Sequence, residues 1–355
     1  MNLEFGLFDT VGAESGGGGL GEAYHTHIAD AALCEQLGYR YYFFIEHQNA
    51  RFPVITSPTV YLSALAAATT TLRIGAMVLQ LPMHHPIRLA QDTAMVDQLS
   101  RGRFEFALGY GTRLPEFEPW FLDYEHRREI GNEVMAVVLE AWSGREVTHE
   151  GEYFRFKNAV VQPHPFQKPH PPVWVGAHSA TSIAYAVENG FNMAQNLDAE
   201  KTTAEKFQLF RDMWAEKKPS QPLPRTLLVR HVHVADTDAE ARKNAEPHML
   251  KGLLGEQGVA RALSLKPEEK NPVMLEMARI YLETAKSYDF WIDEGLAFIG
   301  SPETVVRQIR AQQERCGYDI LLAQHQITTM PRDVKMRSMQ LFGEAVIPKF
   351  GLVKA

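Results

Sequence analysis

Short apolar runs alternate along the chain with longer stretches in which apolar residues recur every three or four positions. The runs Leu3–Phe8, Tyr41–Ile45, Leu72–Leu79, Phe104–Leu108, Val173–Gly176, Phe191–Gln195, Leu227–Val234 and Asp319–Ala323 read as strands. Each is mostly apolar, as parallel strands covered on both faces are. Helical patterns lie at Thr26–Leu37, Pro58–Thr69, Ile87–Leu99, Asn132–Trp142, Thr181–Glu188, Thr203–Lys217 and Pro302–Arg315. Eight strands alternating with helices predict an α/β fold with a parallel sheet, and eight strands close a (β/α)8 TIM barrel. A doubly wound open sheet has the same local pattern, and the strand count favours the barrel. Gly38-Tyr39, Gly190-Phe191 and Gly317-Tyr318 each end a helix and enter a strand. Glycine reaches the left-handed conformation that stops a helix.

Two stretches interrupt the repeat. Glu146–Phe156 alternates around Glu150-Gly151 and predicts a surface hairpin, followed by the proline-rich segment Pro163–Pro172. Residues 236–294 form a long insertion after the seventh strand, with a polar section from Lys266 to Pro272. An insertion at that end of a strand overlies the usual barrel active site, which makes it a candidate lid, with a peripheral helical subdomain as the alternative. One barrel domain is expected to span residues 1–355.

Composition narrows the function. Of 355 residues, 45% are hydrophobic and 22% charged, which suits a globular protein able to bury a large core. Lys plus Arg total 36 against 43 Asp plus Glu, a net charge of -7, so no excess positive field attracts nucleic acid or an anionic membrane. Two distant cysteines, Cys34 and Cys316, support neither a disulfide scaffold nor a cysteine zinc site. The first residues lack the pattern of a signal peptide, and no apolar run reaches membrane length, so a cytoplasmic enzyme is expected.

His47, after Glu46 at the end of the second strand, stands where barrel side chains face the active-site mouth, and imidazole titrates near neutrality. The alternative is a histidine that supports a loop. His84 and His85 follow the third strand, and His231 and His233 share one strand face; a metal hydrolase would need further ligands at strand ends, so no metal site is assigned. Gly16–Gly19 lacks phosphate-loop spacing and reads as a loop over the mouth. Gly109-Tyr110-Gly111 follows the fourth strand. Ala177, His178, Ser179 and Ser182 link the fifth strand to its helix, where free N–H groups favour a phosphate; plain N-capping by Ser179 or Thr181 is the alternative.

Together these residues resemble the bacterial luciferase-like, flavin-dependent monooxygenase family. The likeness rests on Cys34–Tyr39, Ile45-Glu46-His47, Ile74–Leu79, His85–Arg88 and Asp97–Phe104, and resumes at Pro172–Asn189 and Gly300–Val305. It implies a (β/α)8 barrel that binds reduced FMN supplied by a separate flavin reductase. Oxygen then adds to the flavin as a peroxide that oxidises a small organic substrate. It further implies that His47 is a base at the flavin edge and that Met77–Val78 is a cis pair against the ring. Gly109 and Tyr110 are implied to lie on the flavin, and His178, Ser179 and Ser182 to hold its phosphate. A homodimer through Pro58–Thr69 and Ile87–Leu99 is implied as well.

The chain departs from luciferases at three places. It has Glu46-His47-Gln48 in place of Glu-His-His, Gly109 in place of a reactive cysteine, and Tyr110 in place of a phosphate-pairing arginine, with Arg113 nearby. These changes argue against light emission. A relative that transfers hydride with a deazaflavin, and a non-catalytic flavin-binding relative, are the competing expectations.

Overall fold

The computed structural model describes residues 3–11, 19–49, 54–251, 256–265, 267, 272–285 and 287–351. Its strands are β1 (Glu4–Asp9), β2 (Tyr41–Phe44), β3 (Arg73–Gln80), β4 (Phe104–Gly109), β5 (Val147–Glu150), β6 (Arg155–Ala159), β7 (Val173–Gly176), β8 (Asn192–Gln195), β9 (Thr226–Val234), β10 (Ala297–Gly300) and β11 (Ile320–Gln324). Strands β1, β2, β3, β4, β7, β8, β9 and β11 pair in parallel, in that order, and β11 returns to β1. The sheet therefore closes as the expected eight-stranded barrel, built from the eight apolar runs.

Period-two alternation sorts the strand residues. Phe8, Phe43, Ala107, Trp174, Val229 and Leu322 belong to the cluster that fills the barrel. The intervening residues, among them Phe5, Leu7, Tyr42, Phe106 and Leu321, pack under the helices. Gly38, Gly190 and Gly317 have φ of 91°, 73° and 71°, the left-handed helix stops that the sequence predicts.

Charged groups close the N-terminal end. Trp174 Nε1 donates to Glu105 Oε2 at 2.6 Å, and Glu105 also pairs with Arg73. Across the floor, Arg225 donates to Tyr41 Oη at 2.7 Å and pairs with Glu4, while Tyr41 Oη donates to Glu4 Oε2 at 3.0 Å.

Two expectations need correction. The hairpin exists as the antiparallel pair β5–β6, but it extends to Ala159. Just past the insertion lies a strand absent from the sequence-based expectation: β10 pairs with the outer half of β9, from Ala297↔His231 to Gly300↔Val234. Before β10 run the helices Asp238–Lys251, Glu256–Leu263, Pro272–Thr284 and Tyr288–Asp293. The first, third and fourth of these share a second core, including Ala245, Met249, Ile280 and Trp291, with Ile299 of β10. Lys266 and residues 268–271 of the polar section, and Gly16–Gly18 of the glycine loop, lie outside the described residues.

Candidate active site

The C-terminal end of the barrel gathers most of the singled-out residues. In β3 the flanking residues are buried, yet Met77 and Val78 are only half-buried, and the bond between them is cis. Both pack on the interior cluster. Gly109 ends the neighbouring β4, and a Cβ there would overlap the Val78 side chain. Gly176 ends β7 with Val78 Cγ1 at 3.4 Å from an added Cβ. A small apolar platform bordered by two glycines thus forms the β3–β4–β7 side of the mouth. It suits the face of a flat aromatic ring, because backbone and small side chains let such a ring approach.

His47 lies three residues beyond β2 and is half-exposed. Its Nδ1 is 3.0 Å from Glu116 Oε1. Glu116 is buried in the helix Leu114–Phe117 of the loop after β4. It also accepts Gln80 Nε2 at 2.8 Å and meets Arg113 at 3.2 Å. Burial pushes the Glu116 carboxyl up, but His47, Gln80 and Arg113 outweigh it and hold the group below the usual carboxylate range. An ionised carboxylate only accepts hydrogen bonds, so Nδ1 of His47 carries the proton it shares with Glu116. Glu46 braces this corner: it accepts Gln48 Nε2 at 3.0 Å, the Gln80 backbone N–H at 2.9 Å and His84 Nε2 at 3.1 Å.

The loop after β7 is arranged differently from a simple phosphate grip. Ser179 caps the helix Ala180–Asn189, its Oγ accepting Ser182 N–H at 3.3 Å, while Ser182 Oγ accepts Ser179 N–H at 3.0 Å. N-capping is therefore met, and Ser182 is spent inside the box. Ala180 and Thr181 follow the cap as the helix's outward N–H donors. Ala177 is buried in the outer core, with its N–H on Ala194 O and its carbonyl accepting Gln195. His178 Nδ1 stands 3.7 Å from Asp198 Oδ2, and Lys206 meets the same oxygen at 2.8 Å. Burial raises the Asp198 carboxyl, and His178 and Lys206 bring it below the ordinary range.

Tyr110 donates to Asn132 Oδ1 at 2.6 Å and packs edge-on against Tyr185 of the capped helix. The Arg128 guanidinium sits 4.9 Å from the Tyr110 ring centre. Arg113, close to Tyr110 in sequence, meets Glu116 at 3.2 Å. Glu116, Gln80, Asp198 and Arg128 belong to this candidate site and were not singled out from the sequence. Gln80 and Asp198 carried a usable signal, their places at or just past the end of a barrel strand. His231 and His233 lie deep beneath the insertion, and burial, with Arg230 and His248 respectively adding to it, lowers each imidazole to about 4. Among the described residues no helix is long and apolar enough to cross a membrane.

Known proteins share this arrangement of fold. The oxygenase component of the flavin-dependent trigonelline monooxygenase of Acinetobacter baylyi is 28% identical over 296 residues, 74% of this chain and 82% of that one. The oxygenating constituent of 3,6-diketocamphane monooxygenase from Pseudomonas putida, solved with FMN, superposes with a TM-score of 0.77 at 20% identity, covering 98% of this chain and 99% of that one. An F420-dependent secondary alcohol dehydrogenase superposes with a TM-score of 0.74 at 16% identity over 97% and 98% of the two chains. The barrel by itself thus serves two cofactor chemistries. A family model for luciferase-like monooxygenases matches residues 3–319, and the chain belongs to that family.

Proposed function

We propose that the chain is the oxygenase component of a two-component system. Reduced FMN from a separate flavin reductase and dioxygen would oxidise a small organic substrate at the barrel mouth. The observation that carries this reading is the half-buried Met77–Val78 platform, with Gly109 beside it, on the same end of the barrel as the His47–Glu116 pair. The bound flavin would supply the activation of dioxygen.

The chain's own residues have separable tasks. Met77, Val78 and Gly109 would take the ring face, and the loop of His178 and Ser179, with Ala180 and Thr181 N–H groups, the phosphate end. Arg128 and Tyr110 are the nearby cation and hydroxyl. Glu116 holds His47 in one tautomer, so that Nε2 accepts a proton from the reacting group and returns it later. The apolar interior and the insertion keep bulk water from the mouth, where it would uncouple the oxidation.

Anaerobic titration with reduced FMN, followed by oxygen and a panel of small aldehydes, ketones, aromatics and sulfonates, tests the reading. Saturable binding and oxygen uptake matched by oxidised product are expected. Hydride exchange with a deazaflavin and no oxygen uptake would place the chain with the dehydrogenase-like relatives instead. Flavin binding with no turnover of any reductant would make it a carrier.

A further inference from the structure

Across the mouth from Met77–Val78 the barrel wall has unused polar atoms. In the closed order β9 stands four strands from β3 in either direction. A cavity of about 20 Å³ lies there, walled by the ends of β8, β9 and β11 and by the helices Pro272–Thr284 and Tyr288–Asp293. That is room for one water-sized group. Leu197, Val229, Ile280 and Leu296 make its apolar wall. Val229 belongs to the same interior cluster as Met77 and Val78.

Trp291 and His231 line this cavity edge-on to each other, with ring centres 5.5 Å apart. Trp291 Nε1 and His231 Nδ1 are buried and have no hydrogen-bond partner among the described residues. Buried polar atoms are nearly always partnered, because leaving them bare forfeits their hydration. Arg230 shares the wall and also has an unpartnered Nε. Its Nη2, however, donates to Asp198 O at 2.9 Å and Thr203 Oγ1 at 3.0 Å, and the carboxylates of Asp198 and Glu200 act on its charge. Burial nonetheless holds the guanidinium below its usual range, so it is the size of the cavity, not the charge of its wall, that limits the ligand's polar group to one atom.

We infer that this cavity is the substrate's polar subsite: it takes the single uncharged oxygen of a carbonyl compound whose remainder is apolar, with Trp291 Nε1–H as the donor. The inference rests on the oxygenase reading for what happens next to the molecule, but not for its binding. The space fits one oxygen and excludes the two or three of a carboxylate or sulfonate. The apolar wall favours an uncharged skeleton.

Ligand-observed NMR on the full chain, with and without FMN, tests this with three probes of similar size: cyclohexanone, methylcyclohexane and cyclohexanecarboxylate. Cyclohexanone should bind about three- to tenfold tighter than methylcyclohexane, the worth of one hydrogen bond, and cyclohexanecarboxylate weakest. Trp291→Phe, which keeps the ring and removes the N–H, should abolish the preference for the ketone and leave methylcyclohexane within about twofold. Should that variant not fold, the ranking of the three probes on the native chain decides alone. Equal binding of ketone and hydrocarbon would mean that the cavity holds a resident water only and would overturn the proposal. So would tightest binding of the carboxylate, or a ketone preference that survives Trp291→Phe. Selective ketone binding by a chain that takes up no oxygen would sink the oxygenase reading and leave the subsite standing.

Discussion

His47 and Glu116, 69 residues apart in the chain, meet at 3.0 Å between Nδ1 and Oε1. The contact joins the end of one barrel strand to a buried turn of helix after another. His47→Ala is expected to retain FMN binding and to lose about 10²–10⁴-fold in single-turnover oxidation. Near-equal product yields from both proteins, with cofactor saturating, would leave His47 a structural residue.

Glu116→Gln separates orientation from bulk. The carboxylate fixes which imidazole nitrogen carries the shared proton, so its loss should lower the single-turnover oxidation rate at saturating FMN, while the isosteric amide keeps the loop packed. An unchanged rate would mean that Glu116 only packs the loop.

At Gly109, alanine would drive its Cβ into Val78 and push that side chain across the platform. FMN affinity should fall about tenfold or more by fluorescence titration, with a much smaller change in Tm. Unchanged affinity would detach the platform from the flavin.

Stability should depend on pH through His231 and His233. Burial lowers both from an ordinary 6.5 to about 4. The unfolded chain therefore takes up these protons first as pH falls below about 6.5. Stability is fully present above that pH and is lost down to about 4, by on the order of 3 kcal/mol per histidine at the limit. His231→Gln/His233→Gln should flatten the fall in denaturation midpoint over this window; a parallel curve would contradict the assignment.

The family-implied dimer has a specific face. In the helix Pro58–Ala68, Leu62, Leu65 and Ala66 turn to the barrel, while Ala64, Ala67 and Ala68 stay exposed. Val60 is 70% exposed and, on the helix Pro86–Leu99, Met95 and Leu99 are 50% and 56% exposed. Light scattering at micromolar concentration should give twice the chain mass, and Met95→Glu should reduce it. A monomeric native chain would end this expectation.

All eight barrel strands were legible because each is an apolar run that must be covered on both faces. Strand β10 was not, since Ala297–Gly300 is only a short run between the insertion and the next helix. The helix Arg127–Trp142 begins five residues before the expected Asn132, its first turns being too polar to show a stripe. Around the mouth, His47 and Gly109 stood out in the sequence by their places at strand ends. Glu116 was not, because partnership across 69 residues leaves no local spacing. Ser182 looked like a ligand, but its hydroxyl is used in the capping box, a pairing that composition alone does not separate from a phosphate grip.

The ionic floor made by Glu4, Arg225, Tyr41, Arg73, Glu105 and Trp174 has a mechanical consequence. Among the described residues these groups bind one another, so the floor works as a clasp: it ties the first strand of the ring to the second and seventh, and the fourth to the third and fifth. A change at Glu4 or Glu105 would therefore be felt as a loosened barrel, at the end farthest from the candidate site.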